Sequence, residues 1–191
     1  GIMFKGLFNK GRIFLLALTL PLLGMGVITP SLGASESKAT HQESRQKDTS
    51  MSYLASLIAQ RLQLAEDVAT YQWNHTLPID NPATEKVLLD KLVIQAKASG
   101  VDEKVASQFF IAQIDALNAA CINHFETWIK ANVNKHDYNP EISTLNQKLD
   151  QVDHQMIVAL KELKNVDKVA LIKALQEFGF TRDVIDAAIN F

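Results

Sequence analysis

The chain has 191 residues, 47% of them hydrophobic, with a formal net charge of −2 and a single cysteine, Cys121. A slightly acidic balance argues against nucleic acid as the main partner, because phosphate contacts need a lysine- and arginine-rich face. One thiol excludes an internal disulfide, so packing alone must hold the fold.

The first segment, "MFKGLFNKGRIFLLALTLPLLGMGVITPSLGASES", carries Lys5, Lys10 and Arg12 and then runs apolar from Ile13 to Ile28. It breaks at Pro30 and reaches small residues at Gly33 and Ala34. A basic start, a short apolar core and a small-residue exit predict a cleaved secretory signal over residues 1–34. An uncleaved membrane anchor fits less well. The run is short of the roughly 20 residues of a span and is interrupted by Pro21, Gly24 and Gly26. Cleavage removes three basic side chains and no acidic one, leaving about −5. The expected location is the periplasm or the medium, with no membrane partner once the signal is gone. Residues 35–50, "SESKATHQESRQKDTS", hold no large apolar side chain and read as a disordered polar linker.

From Met51 the periodicity is helical. "SYLASLIAQRLQLAEDVATYQW" sets Leu54, Leu57, Ile58, Leu62, Ala65, Val68 and Ala69 on one face of a first helix. His75 to Pro82 is a turn, with Asn81 as cap and Pro82 at the first position of the second helix. That helix stops at Gly100. Asp102 caps a third long helix, which "KHDYNP" ends at Pro140. A fourth follows from Glu141. "VDKVALIKALQEFGFTRDVIDAAINF" then gives two short amphipathic helices split at Gly179. No alternating strand pattern occurs, so the fold class is all-α: three long helices over 51–135 with C-terminal helices over 138–191 on the same domain.

The segments "RLQLAEDVATYQW", "LPIDNPATEKVL" and "GVDEKVASQFFIAQI", in this order and spacing, resemble the exported, all-helical class of chorismate mutases. The resemblance implies a helical bundle that rearranges chorismate to prephenate. The reaction is pericyclic and implies no cofactor, metal or nucleophile. Its substrate is a dianion, so the pocket must supply fixed cations and a donor to the breaking ether oxygen.

Residue by residue, Arg61 matches the first-helix arginine that holds a carboxylate, and Glu85 matches the acid that meets the substrate hydroxyl. The other positions depart from the family pattern. Gln72 stands where a lysine precedes the tryptophan, Asn81 where an aspartate is expected, and Thr84 where an arginine precedes the glutamate. Leu88 replaces a polar residue, Leu117 a serine or threonine, and Cys121 a glutamine or glutamate; Asn146 replaces the arginine of the later helix. The expectation is a mutase-like frame whose activity is weak or lost. Its ligand would be chorismate or a less anionic small molecule. The alternative is a non-catalytic binding or secreted interaction protein on the same fold. Lys86, Lys91 and Lys148 are the cations that could reach inward from non-family positions.

Arg61 lies among Ile58, Leu62 and Leu64 on the apolar side of its helix and needs a partner; Glu85 is the natural candidate. Cys121 and His124 stand three apart, which allows a nucleophile pair, but a buried thiol beside a surface histidine is the simpler reading. Asp150 and His154 are one turn apart on what reads as a solvated face, and the histidines show no metal-ligand spacing. Trp73 reads as a core anchor more than a ligand-stacking ring. The apolar C-terminus is expected to dock on the bundle or on a second subunit, since exported members of the family are often dimers.

Overall fold

A computed structural model describes residues 36–163 and 165–191. The expected signal over 1–34 lies outside the described residues. Seven helices follow in chain order: α1 Glu36–Gln63, α2 Ala65–Asn74, α3 Pro82–Ala98, α4 Glu103–Lys130, α5 Ile142–Glu162, α6 Lys168–Glu177 and α7 Arg182–Ala188. Among the described residues there is no strand.

Two features differ from the sequence reading. Residues 36–50, expected to be a disordered linker, continue α1 toward its N-terminus. The stretch contains no glycine or proline, so a helix anchored by the buried face at Met51, Leu54 and Ile58 can propagate back through it. The single helix expected up to Trp73 is instead divided at Leu64, whose N–H turns back to the Arg61 carbonyl at 3.2 Å. That tighter three-residue bond steps the axis between α1 and α2 just beyond Arg61.

α4 is the central element and packs against α1, α2, α3 and α7, while α1 also packs on α5 and α6. It has the length and hydropathy of a membrane span. Its apolar face is nonetheless spent inside the bundle, where Phe109 and Phe110 meet edge to face at 5.1 Å. Opposite them lie Leu54, Leu57, Ile58, Met156, Ile157, Leu171 and Leu175. Burying each of these side chains contributes about 1.5–3 kcal/mol before the ordering cost is subtracted.

The helix ends are fixed by local chemistry. Asn81 Oδ1 accepts from the Thr84 N–H at 3.3 Å and Asp102 Oδ1 from the Val105 N–H at 3.0 Å. The ends of α2, α3 and α4 share one motif. A residue with positive φ (Thr76, Gly100 and Asn132) is followed by an N–H that reaches back five residues, as from Leu77 to the Gln72 carbonyl at 2.8 Å. Thr76 is the costly case, because a β-branched residue rarely adopts this conformation. Neighbouring contacts hold it. Trp73 Nε1 donates to the Asn134 carbonyl at 3.1 Å, and Asn74 exchanges hydrogen bonds with His136 and donates to the Tyr138 carbonyl at 3.0 Å. Trp73 also lies edge-on to Phe125 at 5.0 Å, so it is an anchor of the frame.

The C-terminus docks on this same chain. Val184, Ile185 and Ala188 are buried, and the Phe191 ring meets Phe109 at 5.1 Å. At the start of α7, Asn123 Nδ2 donates to Asp183 Oδ2 at 3.1 Å and to Thr181 Oγ1 at 3.2 Å. Hydrogen bonds from Thr181, then Asn123 and nearby backbone N–H groups, hold the Asp183 carboxyl below its ordinary value of 3.8. A lowered folded-state value means that the ionised form stabilises the fold. This contribution is complete above pH 3.8 and is lost as the pH falls through the lowered value. Asp183→Asn is therefore expected to melt earlier than the parent at neutral pH, with the two curves converging well below pH 3.8.

Candidate functional site

The step at Leu64 leaves Arg61 at the last turn of α1 with its side chain turned into the bundle. It is 2% exposed, and among the described residues it is the one buried cation. Its Nε donates to Asp153 Oδ1 of α5 at 2.8 Å, and its Nη1 donates to the Gln113 carbonyl of α4 at 2.8 Å. Asp153 and Gln113 are 0% and 1% exposed. The Gln113 side chain continues the network by donating to the Ala188 carbonyl at 2.9 Å. Three helices thus meet on one guanidinium, and a fourth joins through the carboxamide.

This corrects the expected pairing of Arg61 with Glu85. Glu85 sits at the start of α3, half-buried, and its Oε1 accepts from Asn118 Nδ2 at 2.7 Å and from the Asn81 N–H at 3.4 Å. Asp153 and Asn118 were not singled out by sequence. A signal for Asp153 was available, since it interrupts the apolar face of Val152, Met156, Ile157 and Leu160. By the argument applied to Arg61, an acid on that stripe needs a partner. Burial pushes the Asp153 carboxyl above its ordinary 3.8, and the Arg61 charge and hydrogen bond oppose that rise without cancelling it. Its second oxygen, Oδ2, is buried without a protein partner.

The remaining predicted positions fall into four places. Leu117 and Cys121 of α4 are buried in the core, with Leu88 of α3 half-buried against it. Asn81 and Thr84 are exposed and serve as the cap of α3. Gln72 ties α2 to the following turn, its Nε2 donating to the Ile79 carbonyl at 3.2 Å while its Oε1 stays buried and unpartnered. Asn146 is half-buried in the first turns of α5.

Lys86, Lys91 and Lys148 do not turn inward; all three are exposed. Lys86 pairs with Asp90 at 2.8 Å and Lys91 with Asp150 at 3.6 Å. Lys148 lines a separate cleft of about 330 Å³ between α1 and α5, beside Gln60 and Gln151. His154 is exposed, in keeping with a solvated face.

Cys121 does not form a nucleophile pair with His124. Its Sγ donates to the Ala65 carbonyl at 3.6 Å, while the His124 ring leans on Trp128. Burial pushes the thiol up to about 12, against the opposing pull of Arg61. A thiol so rarely ionised is inert.

The site is therefore a guanidinium held inside an all-helical bundle, with an acid at the head of the neighbouring helix. Residues 52–120 match the family described as chorismate mutase type II. The chain is 28% identical over 109 residues to a secreted chorismate mutase of Mycobacterium tuberculosis, covering 56% of this chain and 55% of that protein. It is 24% identical over 113 residues to a monofunctional chorismate mutase of Enterobacter agglomerans, covering 59% of this chain and 62% of the relative. The match thus spans little more than half the length of these relatives. The crystal structure of chorismate mutase from Burkholderia thailandensis superposes with a TM-score of 0.63 at 29% identity, covering 73% of this chain and 94% of that one. Over residues 52–120 the chain is thus similar to the type II chorismate mutases, and it shares the all-helical fold of their solved structures.

Two outcomes test the geometry. Arg61→Leu is expected to lose about 3–5 kcal/mol, because the Asp153 carboxyl stays buried without its donor; adding Asp153→Leu should recover most of that loss. Denaturant unfolding of both variants measures it, and an unchanged midpoint for Arg61→Leu contradicts the pairing. In the folded chain Cys121 is expected to resist iodoacetamide at about pH 8 and to react fully once denaturant opens the core.

Proposed function

We propose that this chain is an exported, chorismate-mutase-like protein whose interior no longer grips chorismate well enough for ordinary turnover, and that it binds a less anionic small molecule instead. The observation that carries this reading is the engagement of Arg61 by Asp153 and by the Gln113 carbonyl. A guanidinium already answered by an internal carboxylate presents little net charge to a substrate carboxylate. Binding a dianion there requires displacing Asp153 or burying a third negative group beside it, and unpaired buried charge is strongly unfavourable.

The other cationic and hydroxyl positions of the family are filled by Gln72, Thr84, Leu117 and Asn146, so no second charge compensates. Removing one preorganised donor from such a site costs on the order of 100- to 1,000-fold in rate. Several such losses do not multiply simply, because residues that act together are not additive. Of the buried polar atoms left unanswered among the described residues, Gln72 Oε1 and Asp153 Oδ2 are oxygens that can accept, beside the ring nitrogen His136 Nε2. They suit a ligand that brings N–H or O–H donors.

Export is supported by the signal-like residues 1–34 and by relatives named as secreted enzymes. A purely non-catalytic role follows if no turnover remains, and no additional chemistry is needed for it.

The test is a prephenate assay on the purified chain together with a calorimetric titration of chorismate. The expected result is no saturable turnover and no binding in the micromolar range. Saturable prephenate formation that is lost in Arg61→Lys overturns the proposal, since it requires the guanidinium to be free for substrate.

A further inference from the structure

On the outer flank of the bundle, between the turn at residues 77–80 and one face of α4, lies an open cavity of about 580 Å³. Its volume falls in the range of small-molecule sites, and its make-up is of the same kind: mostly apolar walls with a few polar groups at one side. Leu77, Ile79, Ile122 and Phe125 provide the apolar surface, and Asp80, Asp115 and Asn118 the polar edge. Its occupancy is independent of whether the interior turns over any substrate, because the Leu117 and Cys121 side of α4 belongs to the core and the Asp115 and Asn118 side to this groove.

The charges at the groove are all of one sign. Among the described residues Asp80 and Asp115 form no ion pair, and Asn118 gives its side-chain N–H to Glu85, which places a third carboxylate behind the rim. The nearest lysine in sequence, Lys86, is turned to Asp90. Burial, and then the negative charge of Glu85, raise the Asp115 carboxyl above its ordinary 3.8. The rim therefore carries negative potential, with no ion pair at Asp80 or Asp115 among the described residues. An anion is repelled here, and a neutral molecule leaves the carboxylates as they are. A cation relieves them.

The geometry points to a binding groove for a small organic cation, an ammonium group on an apolar body, with the ammonium at Asp80 and Asp115 and the body against Ile79, Ile122 and Phe125. The half-buried Phe125 is already held edge-on by Trp73. An aromatic wall already packed by Trp73 and Trp128 thus lines the groove, and an aromatic ring attracts a cation.

Ligand-observed NMR with 2-phenylethylammonium, using 2-phenylethanol and 3-phenylpropionate as neutral and anionic probes of similar shape, tests this directly. The amine is expected to bind saturably, with the alcohol weaker and the acid weakest, and added salt should weaken the amine alone. The Asp80→Asn/Asp115→Asn variant is expected to weaken amine binding about tenfold. Both positions are exposed, so the fold should tolerate the change. Ile122→Lys, at a side chain that is 44% exposed, sets an ammonium in the mouth and should abolish binding. Equal binding of the three probes, no saturable binding of the amine at millimolar concentration, or an unchanged amine affinity in the double variant each overturns the assignment.

Discussion

A guanidinium buried among leucines and isoleucines cannot stand alone, and the arrangement of this bundle follows from how Arg61 is satisfied. Asp153 comes from the middle of α5 and the Gln113 carbonyl from the middle of α4, so both are fixed relative to the last turn of α1 through one charged group. A buried ion pair of this kind adds little net stability compared with an apolar replacement. What it does is penalise every alternative packing that would separate its members. The helices could slide against one another on their leucine faces at small cost, but not with this pair between them.

The same pair sets the chemical character of the interior. In a mutase of dianions, fixed cations wait for the substrate, and their charge is neutralised only on binding. Here the neutralising carboxylate is part of the chain. The remaining positions follow the same logic: Leu88, Leu117 and Cys121 pack against the core, and the burial that keeps the Cys121 thiol protonated also disfavours a polar guest at that wall. The turn after α2, with its strained Thr76 and the Trp73 anchor, is held as firmly as a working site would need, while the groups inside it are addressed to one another.

The frame was legible in the sequence because its determinants are local. Asn81 and Asp102 announce helix starts, Gly100 and Gly179 announce stops, and the three-four spacing of leucines and isoleucines assigns the buried faces. The pairing of Arg61 was not legible to the same degree. Periodicity says that a side chain faces inward, but it does not say which residue, 92 positions later, arrives opposite. Glu85 was the reasonable partner by family position; packing sent it to Asn118 instead. The helical state of residues 36–50 was missed for a related reason. Composition shows that this stretch has no core of its own, yet a helix already anchored at Met51 needs none to extend.

Gln113 links two parts of the molecule that look unrelated. Its main-chain oxygen steadies the guanidinium, and its side-chain amide clasps the carbonyl of Ala188, 75 residues along the chain. Peeling α7 from the bundle would leave that amide unanswered in an apolar setting and loosen the turn of α4 on which Arg61 leans. The tail is thus a keystone for the central charge, and wear at the molecule's far edge would be felt at its middle.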